Sequence, residues 1–200
     1  MRQKIEFHEI SGIFPLLEKR ELQALADDIK HHGLHSLIKL FEGKILDGRS
    51  RYLACLMAKV EPEFMTVSGT PKDAVNLVWN LNLMRHHLSS SQAAICSAIK
   101  DKLLKMYGQK QQMTSEEQLV LGNTTLGRRK SILTGLIPET LMVVVETREV
   151  RAKAAGICAS YISLADRLLK EKPALAEKVK NGKIKLTNVY RELKTQSAIE

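Results

Sequence analysis

The chain lacks a C-x-x-C pair, an apolar core at its amino terminus, any apolar run near the length of a membrane span, and any internal repeat. Each absence removes a class of protein. Its three cysteines, Cys55, Cys96 and Cys158, are odd in number and widely spaced, and each falls within an apolar helical pattern, so no disulfide framework is indicated. They read as buried thiols in a reducing cytoplasm. Met1-Arg2-Gln3-Lys4-Ile5-Glu6 has no signal core, and no stretch approaches the roughly 18 apolar residues that span a bilayer, which argues against secretion and membrane insertion.

Negative charge is also scarce: 22 Asp and Glu face 31 Lys and Arg, for a net charge of +9 and a pI near 9.5. The excess is uneven. Residues 101–200 carry 18 basic against 11 acidic side chains, whereas residues 1–100 carry 13 against 11. A polyanionic partner for the second half is the natural inference, with simple solubility as the alternative. The 44% apolar content over 200 residues suffices for a core without staples and allows one large domain or two small ones.

Local patterns divide the chain. Leu22, Leu25, Ala26 and Ile29 predict a helix from Pro15 to Gly33, with Gly33 at the carboxyl cap. Leu37 to Phe41, Glu42-Gly43 and Lys44 to Leu46 read as strand, turn, strand, and a helix follows over 51–59. Phe64 to Val67 reads as a further strand. Pro71 opens a helix to about Leu77, with Val78 to Leu81 returning to extended structure. Ser89 and Gln92 have capping-box spacing at the start of a helix through about Tyr107. Residues 1–107 thus read as a small α+β domain, 108–130 as a polar linker or mobile loop, and 131–200 as an all-α domain. Leu141 to Val145 is ambiguous by periodicity and is assigned to helix from its neighbours.

Two segments carry anion-binding chemistry. In Asp47-Gly48-Arg49-Ser50-Arg51, strand gives way to helix, so free backbone N–H groups meet two guanidinium forks while Gly48 permits close approach of the backbone. Asn82-Leu83-Met84-Arg85-His86-His87-Leu88 supplies a second set. The phosphate-binding candidates are Gly48, Arg49, Ser50, Arg51, Asn82, Arg85 and His86. A hairpin followed by a helix with solvated arginines is the competing reading. His86 and His87 are read as polar flanks of a phosphate pocket rather than metal ligands, because no ligand spacing with His31, His32 or His35 can be argued. Asp47 is a weak catalytic candidate, beside Arg49 and Arg51.

Residues 148–170 have the logic of a helix-turn-helix: small Ala152 at the crossing, Gly156 at the turn, Ile157 over the small core, and Ile162 and Ala165 on one face of the second helix. Arg151 stands where an apolar residue is usual, with Val150 expected to take the inward role, and Cys158 replaces the usual hydroxyl cap. Ala159, Ser160, Tyr161, Ser163, Arg167 and Lys170 are the DNA-binding candidates. An ordinary pair of packed helices is the alternative.

Together these residues resemble the ParB family of chromosome and plasmid partition proteins, from about Ile5 to Leu193. Gly33-Leu34-His35-Ser36-Leu37-Ile38 is similar to the family's first box, Gly48-Arg49-Ser50-Arg51-Tyr52 to its Gly-Glu-Arg-Arg box, and Asn82 to Arg85 to its Glu-Asn-x-x-Arg box. Lys172 to Leu186 is similar to the stretch that follows the family's helix-turn-helix. The resemblance implies a ParB/sulfiredoxin-like first domain that binds CTP or another NTP with Mg²⁺, a helix-turn-helix second domain on double-stranded DNA, a homodimer, and a partner ATPase of a partition system. It implies a role in partition or associated transcriptional regulation. Arg49 replaces the glutamate tied to hydrolysis and Leu81 the metal-binding glutamate, which leaves Asn82 as the one metal ligand of these boxes, acting through a bound nucleotide. Holding phosphate is therefore better supported than cutting it. Sulfiredoxin chemistry is set aside, since Arg49 occupies the place of its cysteine. The chain ends at Glu200 without room for the family's further dimerisation domain, so self-association is expected through the first two domains. A metal-dependent nuclease or NTPase, and a protein-binding inhibitor or adaptor, are the rival readings.

Overall fold

The computed structural model describes residues 5–83, 88–113 and 147–196. It is a mixed α+β structure, mostly helical, with one small sheet. A 3-10 turn over Glu9–Ile13 precedes α1 (Lys19–His32), β1 (Ile38–Phe41), β2 (Lys44–Asp47), α2 (Arg49–Ala58), β3 (Phe64–Thr66), α3 (Pro71–Leu83) and α4 (Ser90–Met113). Then come α5 (Arg148–Ala155), α6 (Ala159–Glu171), α7 (Pro173–Lys180) and α8 (Leu186–Gln196). Among the described residues no helix is long and apolar enough to cross a membrane.

Strand order is β2-β1-β3, antiparallel then parallel. The hairpin turns at Glu42 and Gly43, both with positive φ (50° and 74°), the backbone twist that suits a two-residue loop between twisted strands. Lys39 pairs with Asp47 and Leu40 with Ile45, so Leu46 is an extra residue in β2. This bulge breaks the alternation of faces, and Ile45, Leu46 and Asp47 are all buried. Asp47 is thereby delivered inward at the end of the strand.

Ile10, Ile13 and Phe14 join Phe41, Leu46, Val75, Val78, Trp79 and Cys96 in one core. A second unites Ala94, Ile95 and Ala98 of α4 with Ala165, Leu168, Ala176, Val179, Leu186 and Val189. The first half of α4 is therefore buried on nearly every side, and its alanines let neighbouring helices approach closely. Further bonds tie the two halves: Gln92 Nε2 donates to the Lys180 carbonyl (3.2 Å), Lys180 Nζ to the Gly12 carbonyl (3.1 Å) and the Leu186 amide to Ser91 Oγ (3.1 Å).

Several boundaries differ from expectation. α1 begins at Lys19, four residues after Pro15, where a Glu18–Glu21 capping box starts it; Gly33 caps its end, as expected. α3 does not give way to extended structure at Val78 but continues to Leu83, because Val78 and Trp79 bury themselves against the first core on a helical face. α4 passes through Gly108 to Met113, so the polar composition at 108 does not end it. The rest of the 108–130 segment and Leu141 to Val145 lie outside the described residues. Cys55 and Cys96 are buried, but Cys158 is exposed, because it stands before the first turn of α6 rather than within the helix.

Candidate functional site

The phosphate candidates meet where β2 turns into α2. Gly48 is the N-cap of α2 with φ 96° and ψ 25°, and the amide of Tyr52 donates to its carbonyl (2.8 Å), so α2 closes its first turn at once. The chain reverses there without a side chain in the way: a Cβ on Gly48 would lie 3.1 Å from Arg51 Nη2. Asp47, Gly48, Arg49, Ser50, Arg51 and Asn82 all line one cavity of about 130 Å³, completed by Phe14, Pro15, Leu16 and others. Arg85 and His86 lie outside the described residues.

The charged groups are already organised around Asp47. Arg51 Nη2 donates to Asp47 Oδ2 (2.8 Å), and Asn82 Nδ2 donates to Asp47 Oδ1 (2.9 Å) and to the Val78 carbonyl (2.9 Å). Arg51 Nη1 reaches the carbonyls of Ser36 (2.8 Å) and Leu37 (3.3 Å), fastening the loop before β1 to the mouth of α2. Arg49 Nη2 donates to the Phe14 carbonyl (2.6 Å). Burial lowers the Arg49 guanidinium from its ordinary value, while Glu177 of α7 and Asp47 act in the opposite sense. Arg49, Arg51 and Lys180 against Asp47 and Glu177 leave a net positive charge beside the N–H groups that open α2, an arrangement suited to an anion.

The cavity is smaller than the few hundred Å³ that enclose a drug-sized ligand. These residues fit the phosphate portion of a nucleotide. The carboxamide of Asn82 has spent its donors, leaving Oδ1 as its group for a cation. Among the described residues no three His, Cys, Asp or Glu side chains converge to hold a metal ion.

The second candidate surface is built from α5 and α6. Thr147 caps α5 by accepting from the Val150 amide (3.4 Å), Gly156 ends it at φ 65°, and Cys158 stands as the N-cap of α6. Ile162, Ala165 and Leu168 are buried. Ser160, Ser163, Arg167 and Lys170, spaced i, i+3, i+7 and i+10, form an exposed stripe on the opposite side. Arg167 Nε is paired with Glu171 (2.9 Å). Ala159 is half-buried at the first position of the helix. Tyr161 is not brought onto the stripe: it is half-buried and packs against the second core.

The expected exchange of Arg151 and Val150 does not occur. Arg151 is buried and forms a two-pronged pair with Asp166, Nη2 to Oδ1 at 2.7 Å and Nη1 to Oδ2 at 2.9 Å, while Val150 is 52% exposed. Sequence reasoning missed Asp166 as a partner; its spacing of 15 residues across a turn offers no periodic signal.

No protein-family model matches the chain, and no curated protein matches it in sequence. Among solved structures, the C-terminally truncated chromosome-partitioning protein ParB from Caulobacter crescentus, complexed with CTP-gamma-S, aligns over 84% of this chain and 76% of that one, at 16% identity and a TM-score of 0.33.

Proposed function

We propose that this chain is a cytoplasmic, ParB-like DNA-binding protein of partition or associated transcriptional regulation, in which α6 reads duplex DNA and the pocket at the mouth of α2 holds a phosphate-bearing ligand. The observation that carries the reading is the exposed stripe of Ser160, Ser163, Arg167 and Lys170 beyond the tight α5–α6 turn, in the more basic half of the chain. Hydroxyl and cationic side chains on one helix face can contact base edges and phosphates together. Gly156, at φ 65°, ends α5 three residues before α6 begins, and a connection this short supports the helix-turn-helix reading.

CTP or another NTP would be held at its phosphates by Gly48, Ser50 and the N–H groups opening α2, with Arg49 and Arg51 as counter-charges; Asn82 Oδ1 would help hold its Mg²⁺, which would supply neutralising positive charge. Asp47 serves as the strut of this pocket rather than as a general base, since each of its oxygens already accepts a charged or amide donor. A single recognition helix reads few base pairs, so a homodimer on DNA is the working form, with a partner ATPase as its associate in partition.

The test is selection of bound duplexes from a randomised pool, followed by titration of the enriched duplex over a range of salt. Enrichment of a sequence, lost in Ser163→Ala/Arg167→Ala, and a steep fall of affinity with salt are expected. No enrichment and no duplex binding at low salt would leave the adaptor reading.

A further inference from the structure

We propose that Arg151 is a positioning residue for the DNA-reading helix: it holds α6 at a fixed rotation against α5 and α4 and cancels the carboxylate that borders the reading stripe. This rests on the reading of α6 given above, and its test separates the two.

Arg151 occupies the inner face of a helix pair, the place where an apolar side chain would serve packing alone. Its side chain is only 6% exposed, and a more suitable apolar side chain, Val150, lies one residue away facing solvent. Packing therefore does not explain why the guanidinium is inside. Nor does complete satisfaction of its hydrogen bonds, since Arg151 Nε is buried without a partner. A buried ion pair is a poor source of stability compared with apolar residues of similar volume; its better attested use is to select one arrangement among several.

The geometry suits that use. Two parallel N–H···O bonds, at 2.7 and 2.9 Å, fix distance and rotation together, whereas an apolar contact tolerates sliding. The same Nη1 lies 3.5 Å from Asp101 Oδ2 of α4, and Lys105 Nζ lies 2.7 Å from that oxygen. Charges of alternating sign thus run from Asp166 on α6, through Arg151 on α5, to Asp101 and Lys105 on α4. The network sums to zero and joins α6 to the helix that both cores share.

The position of Asp166 gives the network its consequence for DNA. Asp166 follows buried Ile162 by four residues and Ser163 by three, and precedes Lys170 by four, so it stands on the border between the buried face and the stripe. Its side chain is 41% exposed. Left unpaired, this carboxylate would repel the phosphates that Lys170 attracts, since Glu171 already offsets Arg167. Paired, it is neutral toward DNA and anchors the helix.

The test uses the full chain and the duplex enriched by wild type, with a scrambled duplex of equal length as reference. Arg151→Met/Asp166→Asn removes both charges together, so that neither the buried guanidinium site nor the half-exposed carboxylate is left with an unpaired charge. The expected result is a folded variant whose low-salt affinity for the scrambled duplex stays within about twofold of wild type, while preference for the enriched duplex falls about tenfold, the scale of one lost base contact. Arg151→Lys keeps the charge but not the fork, and should recover only part of that preference. A merely structural role would lower thermal stability and both affinities together. Wild-type preference in either folded variant overturns the proposal, and Arg151→Lys supplies that outcome if the double variant does not fold. Wild-type protein that enriches no sequence would instead overturn the DNA reading itself.

Discussion

Asp47 and Arg51 lie four residues apart in sequence and 2.8 Å apart in space, with Asp47 the last residue of β2 and Arg51 in the first turn of α2. Both are substantially shielded from solvent, Asp47 at 7% and Arg51 at 17% side-chain exposure. The pair joins the sheet to the helix that follows, and Asn82 adds α3 to the same carboxylate. What looks in sequence like a lone acid between two arginines is the group that keeps Arg51 in place, while the Phe14 carbonyl holds Arg49.

Asp47→Ala should accordingly act on stability. It takes the charged acceptor from Arg51 Nη2 and one of two acceptors from Asn82 Nδ2, leaving them the Ser36, Leu37 and Val78 carbonyls, a loss of about 3 kcal/mol by comparison with other broken buried pairs. Asp47→Asn, which retains an acceptor for one of the two donors, should lose less. Urea unfolding of the two variants checks this, and full stability in Asp47→Ala would show that the pair is dispensable.

Gly48→Ala addresses the backbone instead. At φ 96° an alanine is strained, at a cost of about 1–2 kcal/mol for left-handed geometry, and its Cβ would press within 3.1 Å of the Arg51 guanidinium. The expected outcome is both lower stability and weaker inorganic phosphate binding by calorimetry. Gly12→Ala is the control, since a Cβ there meets nothing within 4 Å.

Features written in a few neighbouring residues were legible in the sequence. The Ser89–Gln92 capping box, the Gly33 cap and the Gly156 turn depend on local geometry, and each is present. Features decided by distant packing were not. Val78 and Trp79 match a strand as well as a helix until Phe14, whose ring lies 5.6 Å from Trp79, supplies the surface they bury against. The Leu46 bulge that turns Asp47 inward has no residue signature. Arg151 stands in the sequence at a position where an apolar residue is usual, and its partners, Asp101 and Asp166, become neighbours only when α4, α5 and α6 pack.

Lys180 offers a test of how the two halves hold each other. It is buried, donates to the Gly12 carbonyl, and pairs with Glu177 at 2.8 Å. Burial pulls the Glu177 carboxyl upward, but Lys180, Asn181 and Arg49 outweigh it and hold it below the ordinary glutamate value of 4.5. The contribution of this contact is therefore present above that value and is lost as pH falls through the lower folded one. Wild-type protein should lose stability over that acid range, and Glu177→Gln should flatten that part of the curve. Parallel pH–stability profiles for the two proteins would sink the assignment.

The thiols provide a last measurement, one that also checks the exposure of the α5–α6 turn. Burial pushes Cys96 up to about 12 and raises Cys55, so both remain protonated and inaccessible near neutrality. Cys158 differs in both respects. It is exposed at the start of α6, and its hydrogen bond with Ser160 Oγ (3.1 Å), followed by the backbone N–H groups of Ser160 and Ala159, holds its thiol below the ordinary value. Because the thiolate is the nucleophile, iodoacetamide at neutral pH should label Cys158 in the folded protein well before the other two. Peptide mass mapping would identify the labelled site. The labelling rate of Cys158 should rise with pH through a midpoint below that of a free thiol, and Ser160→Ala should move that midpoint upward. Equal labelling of all three cysteines without denaturant, or a midpoint unmoved by Ser160→Ala, would contradict the geometry described for this turn.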